Sequence, residues 1–120
     1  MNQSTVACGA SNEALAARSL IAAGYQLVER NFACDAGELD IVARDGTVLV
    51  FVEVRSRSSG DHGEAAEMVT PAKRRRVSHI AAIYLEMRRP RFEECRFDVV
   101  AITGDDVQII KDAWRAGDRA

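Results

Sequence analysis

GELDIVARDGTVLVFVEVRSR, residues 37–57, reads as two apolar strands bent back over Asp45-Gly46, the short-range signature of a two-residue type I′ hairpin. That turn sets Arg44 opposite Thr47, Val42 opposite Leu49, Asp40 opposite Phe51 and Glu38 opposite Glu53. Side chains alternate across a strand, so Leu39, Ile41, Ala43, Val48, Val50, Val52 and Val54 share one wholly apolar face that must lie on a core. The other face carries Glu38, Asp40, Val42, Leu49, Phe51, Glu53 and Arg55. Its apolar members require a helix over part of it, with the charged end left open.

Asp40 and Glu53 then stand as diagonal neighbours, roughly 7 Å apart at the backbone. Two carboxylates so placed repel unless a cation lies between them, and Mg²⁺ with oxygen ligands at about 2.1 Å fits the gap. Acids at the open end of a hairpin can equally be solvated, or paired with Arg55 and Arg57. Hairpin geometry alone leaves both readings open.

Outward from the hairpin, Ser11 or Asn12 can cap a first helix running to Ala23, with Leu15, Ala16, Leu20 and Ala23 inward and Gly24 closing it. Tyr25 to Val28 is expected as a short strand and Asn31 to Ala36 as a connection. After the hairpin, Thr70-Pro71 offers an N-cap and a proline at the first helical position. The second helix runs to about Met87, burying Val77, Ile80, Ala81, Tyr84 and Leu85 at helical spacing, and Pro90 ends it. Phe97 to Ile102 and Val107 to Ile110 complete the strands, before a tail containing Trp114. The order is α, β, β, β, α, β, β. Without a repeat or a Pro/Gly-rich linker, the 120 residues are expected to form one domain. Residues 1–10 and 115–120 are expected as flexible ends, and 56–68 as a mobile loop.

Charge is unevenly spread. Residues 1–54 hold seven acids against three arginines, whereas residues 71–91 hold Lys73, Arg74, Arg75, Arg76, Arg88, Arg89 and Arg91 against Glu86 alone. Lys73 to Arg76 occupy the first turns of a helix, where the macrodipole favours acids. A phosphate backbone is one explanation; an exposed basic turn in water is the other. The three cysteines, Cys8, Cys34 and Cys95, have no CxxC spacing, and with no secretory signal they read as reduced thiols in a cytoplasm. His62 and His79 have no neighbour at ligand spacing. No apolar run approaches the roughly 20 residues of a membrane span.

Asp40 followed by Glu53-Val54-Arg55 on the next strand resembles the PD-(D/E)xK signature of restriction-endonuclease-like nucleases, in the short form of archaeal Holliday-junction resolvases. More closely, the chain is similar to the UPF0102 (YraN) family of small bacterial proteins regarded as predicted endonucleases. The matching stretches are Gly37 to Val42, Phe51 to Val54, Val69 to Lys73 and Arg96 to Val100, within a span from Glu13 to about Trp114. The resemblance implies an α/β (α+β) fold with an αβββαβ core, a mixed sheet flanked by helices. It further implies metal-dependent phosphodiester cleavage, with Glu13 facing the site, Asp40 and Glu53 ligating Mg²⁺ or Mn²⁺, and a lysine at position 55. Arg55 departs from that pattern: it keeps the charge but effectively never deprotonates. Lys73 could supply the amine from the helix.

Three functions follow as expectations. The first is a nuclease acting on structured or branched DNA, with Asp40, Glu53, Glu13 and Arg55 catalytic and Lys73, Arg74, Arg75, Arg76 and Arg57 gripping phosphates. A homodimer would suit cleavage of both strands. The second is a nucleic-acid-binding module that kept the fold and lost turnover because of Arg55. The third is an adaptor whose basic helix holds an acidic protein.

Overall fold

A computed structural model describes residues 5–57 and 69–116; the side chains of residues 5–11 and of Arg57 fall outside that description. The elements are α1 (Thr5–Ala22), β1 (Gln26–Cys34), β2 (Gly37–Asp45), β3 (Val48–Arg57), α2 (Pro71–Arg88), β4 (Glu94–Thr103) and β5 (Asp106–Trp114). The order is the expected one, and the fold is a mixed α/β sheet flanked by helices. The strands form a single sheet in the order β1-β2-β3-β4-β5. Only β3 and β4 run parallel, from Val48 opposite Glu94 to Arg57 opposite Thr103, and α2 makes the crossover.

Each helix covers one face. Ala16, Ala17 and Leu20 of α1 pack on Ile41, Ala43, Val50, Val52, Val100 and Ile102. On the opposite face Val77, Ile80, Ala81 and Tyr84 of α2 pack on Val42, Leu49, Phe51, Phe97 and Val99. Tyr84 stands edge-on between Phe32 and Phe51, with ring centroids 5.1 and 5.8 Å away, an arrangement that suits the ring quadrupoles. The helix demanded by Val42, Leu49 and Phe51 is therefore α2, and its first turn reaches Glu53 through Lys73, so that Glu53, expected at an open end, is buried.

The helix ends follow local chemistry. The Thr70 hydroxyl accepts from Lys73 N–H at 3.2 Å, ahead of Pro71. At the other end Arg89 takes the left-handed conformation, φ 50°, before Pro90. Helix α1 closes on Gly24, φ 99°, with Tyr25 N–H donating to Leu20 O and Gly24 N–H to Ile21 O. Those two bonds make a Schellman cap.

Several expectations are corrected. Helix α1 starts at Thr5, ahead of Ser11 and Asn12, and its inward stripe includes Ala17 while Ala23 is exposed. Strand β1 continues through Asn31 to Cys34 because β2 supplies a pairing partner throughout. Strand β5 extends to Trp114, which is buried in a stack on Phe97 at 4.9 Å and donates to Ser78 Oγ. The hairpin loop is Gly46-Thr47, with Asp45 still paired to Val48 and Arg44 to Leu49. Asp45 stays in the strand because Arg96 and Lys111 hold its carboxylate at 2.8 and 3.2 Å. Gly46 lies at φ 65° and Thr47 is not in the positive-φ region, so the turn is not type I′. The register thus moves by two residues. An even shift leaves every side chain on its own face.

Leu39 is the one hairpin residue on the wrong side: it packs with Phe32 and Val42 under α2. The exchange of faces falls at Asn31. Register places Arg30 opposite Ile41 and Phe32 opposite Leu39, leaving Asn31 across from Asp40, and Asn31 has φ 57°. Asn31 of β1 thus lies across from the point in β2 where Ile41 faces α1 and Leu39 faces α2.

Candidate functional site

The β2–β3 ladder ends at Ile41 opposite Val52. Beyond it the strands fork, and Asp40 Oδ2 accepts the Val54 N–H at 2.8 Å, taking the place of a backbone carbonyl. Continuing the register brings Asp40 across from Glu53, nearer than the diagonal relation expected from the sequence. Both carboxylates line a cleft of about 210 Å³ together with Gly37, Glu38, Lys73 and Arg76.

Glu53 is only 4% exposed. Lys73 Nζ lies 3.4 Å and Arg55 Nη1 3.8 Å from its Oε2. Burial, followed by repulsion from Asp40, pushes its carboxyl up to about 7, against the opposing pull of Lys73 and Arg55. Asp40 is raised as well, chiefly by burial and then by the charges of Glu13 and Glu38, with the Val54 N–H acting the other way. Desolvation and neighbouring negative charge thus both favour the protonated form of these two carboxyls.

Asp40 also lines a second cleft, of about 320 Å³, on the α1 side. Its walls include Glu13, Asn31, Glu38 and Ser56. The Asn31 amide and the Arg30 guanidinium reach Glu13 Oε1 at 3.3 and 3.4 Å. The sequence-selected acids Glu13, Asp40 and Glu53 therefore gather around the fork, with Asp40 shared between the two clefts.

The basic turn divides its tasks. Lys73 reaches Glu53. Arg76 is exposed at the rim of the smaller cleft, and Arg75 is exposed on the outer surface. Arg74 folds back, donating to Val69 O at 2.9 Å and lying 5.9 Å over the Trp114 ring. The side chain of Arg57 lies outside the described residues. Asn31 was absent from the sequence-based set; asparagine's tolerance of the left-handed region was the available signal.

The donors suit a hard cation in one form only. Among the described residues no group of three or more His, Cys, Asp or Glu is placed to hold a metal. Two carboxylates, with water and a substrate phosphate completing the shell, match the habits of Mg²⁺ and leave soft or imidazole-preferring metals without ligands.

Residues 12–102 match the family described as "Uncharacterised protein family UPF0102". The chain belongs to this family. A UPF0102 protein of Dechloromonas aromatica (strain RCB) is 46% identical over 117 residues, covering 98% of this chain and 96% of that one. A UPF0102 protein of Lachnoclostridium phytofermentans is 42% identical over 109 residues, with 90% and 92% covered. One from Klebsiella pneumoniae is 45% identical over 101 residues, with 82% and 79% covered. Of the stretches on which the resemblance was drawn, Gly37 to Val42 and Phe51 to Val54 form the prongs of the fork and Lys73 faces it, while Arg96 to Val100 pairs alongside Val50 to Val54. No helix in the described residues is long and apolar enough to cross a membrane.

Proposed function

We propose that this UPF0102 chain is a nuclease dependent on Mg²⁺ or Mn²⁺ that cleaves structured or branched DNA in the cytoplasm. The observation that carries the proposal is Lys73 Nζ at 3.4 Å from buried Glu53, in a cleft that Asp40 shares. That contact returns to the site the amine that Arg55 removes from the strand. Asp40 and Glu53 would hold the cation, which when bound supplies a water of lowered pKa and stabilises charge on the phosphate. Lys73 presents a compact positive charge beside Glu53, and Arg55 a planar fork suited to a phosphate oxygen. Arg75 and Arg76 offer further phosphate contacts at the rim, where they would set register without reading bases. A homodimer would bring two such clefts to two strands.

Arg55 favours a second reading, in which the chain binds nucleic acid without turnover. One assay separates the two. Purified protein is incubated with supercoiled and four-way-branched DNA in Mg²⁺, Mn²⁺ or chelator. The nuclease reading expects metal-dependent nicks, lost on Asp40→Ala and reduced about a hundredfold on Lys73→Met, a typical cost of removing one preorganised charge. Nicking that persists in Asp40→Ala refutes the site. Salt-sensitive binding with no cut in any divalent ion refutes the nuclease and leaves the binding module.

A further inference from the structure

Glu13 sits on α1 while Asp40 and Glu53 sit on the sheet, so their meeting depends on something that spans the two. Two exposed side chains of β1 do so, Arg30 and Asn31, which reach Glu13 Oε1 at 3.4 and 3.3 Å. Asn31 differs from Arg30 in its backbone. It is one of three non-glycine residues at positive φ among the described residues, it lies across from Asp40, and its amide nitrogen donates to Glu13 Oε1. It also lies across the ladder from the point where β2 changes faces, and Asp40 at that point lines both clefts.

We propose that Asn31 is a positioning residue. Its left-handed backbone turns Asp40 into the space between the clefts, and its amide holds the Glu13 carboxylate toward it. The inference rests on the nuclease reading above and names a residue that acts through the acids. A left-handed non-glycine residue is uncommon inside a strand, Asp112 of β5 being the other such case among the described residues, and such conformations gather at functional sites. Glycine adopts the same φ without steric strain, at a modest entropic cost on folding, so Asn31→Gly permits the turned backbone and deletes the amide. The backbone and side-chain contributions are thereby separable.

The test compares wild type, Asn31→Gly, Glu13→Gln and the double variant in three measurements: thermal midpoint, Mn²⁺ affinity by electron paramagnetic resonance without DNA, and nicking rate with Mn²⁺. Asn31→Gly is expected to melt within a few degrees of wild type, the shift that glycine's extra unfolded-state freedom brings. Its Mn²⁺ affinity and nicking rate fall about tenfold, the low end for loss of an outer-shell partner. The double variant is expected to be no worse than Glu13→Gln alone, because the two residues act as one unit. Independent, multiplying losses would overturn the proposal. So would a melting temperature lowered by roughly ten degrees or more in Asn31→Gly, beyond what glycine's unfolded-state entropy explains, which would make the amide a structural prop. If wild type binds Mn²⁺ and Asn31→Gly binds it equally, only the role of Asn31 is lost. If wild type binds no Mn²⁺, the metal site is lost along with it.

Discussion

Glu53 keeps its proton to about pH 7 in the folded chain, against an ordinary glutamate value of 4.5, because it is buried beside Asp40. The folded state therefore binds more protons than the unfolded state between those values, and stability falls as pH rises through the window. At 1.36 kcal/mol per unit, the loss is on the order of 3 kcal/mol. Glu53→Gln keeps the shape without the charge. It is expected to melt well above wild type at pH 8 and near it at pH 4, with a shallower fall between. Thermal melts from pH 4 to 8 check this; an unchanged slope would mean that Glu53 is not the strained acid. Mn²⁺ should recover part of the lost stability in wild type and little of it in the variant, because binding to the folded state alone stabilises by mass action.

At the level of elements, the closest approach around the cleft is between the start of β2 and α2. A Cβ on Gly37 would come within 2.8 Å of Ile80 Cδ1, and the residue has φ 141°. Gly37→Ala is expected to cost roughly 1–3 kcal/mol through overpacking and backbone strain, read from urea denaturation. A smaller loss would show that α2 can lift without penalty. The hairpin and α2 were legible because alternation over 37–57 and helical spacing over 71–88 are strong local patterns, with Thr70-Pro71 marking a boundary. Of strand β1 only the start was legible, because Asn31 and Ala33 are poor strand formers and only pairing along β2 overrides that weakness. The hairpin loop was misplaced by one residue because Asp45 is held by Arg96 and Lys111, partners far away in sequence.

Across the whole molecule, Asp98, opposite Val52 in the β3–β4 register, ties β4 to Tyr25, to Arg96 and to β5. Fully buried, it accepts from Tyr25 Oη at 2.6 Å, from Arg96 Nε and Nη2 at 2.9 Å and from Asp112 N–H at 2.9 Å. Asp98→Asn leaves the Arg96 guanidinium partly buried with only Asp45 as a charge partner. It is expected to destabilise by about 3–5 kcal/mol in equilibrium unfolding. The site was legible to the extent that parity governs it: Asp40 and Glu53 share the fork under any even shift of register. The reach of Lys73 was not legible, because it depends on how far the crossover slides α2 along β3. The turned backbone at Asn31 has no signature beyond the residue type. The parallel pairing of β3 with β4 also imposes an order on assembly. A growing chain releases its carboxylates from the ribosome first and their lysine counter-charge later, and the lysine is locked in place only when β4 docks beside β3. Most of the polypeptide must therefore exist before the acids of the fork meet their counter-charge, and an incomplete chain carries them unpaired.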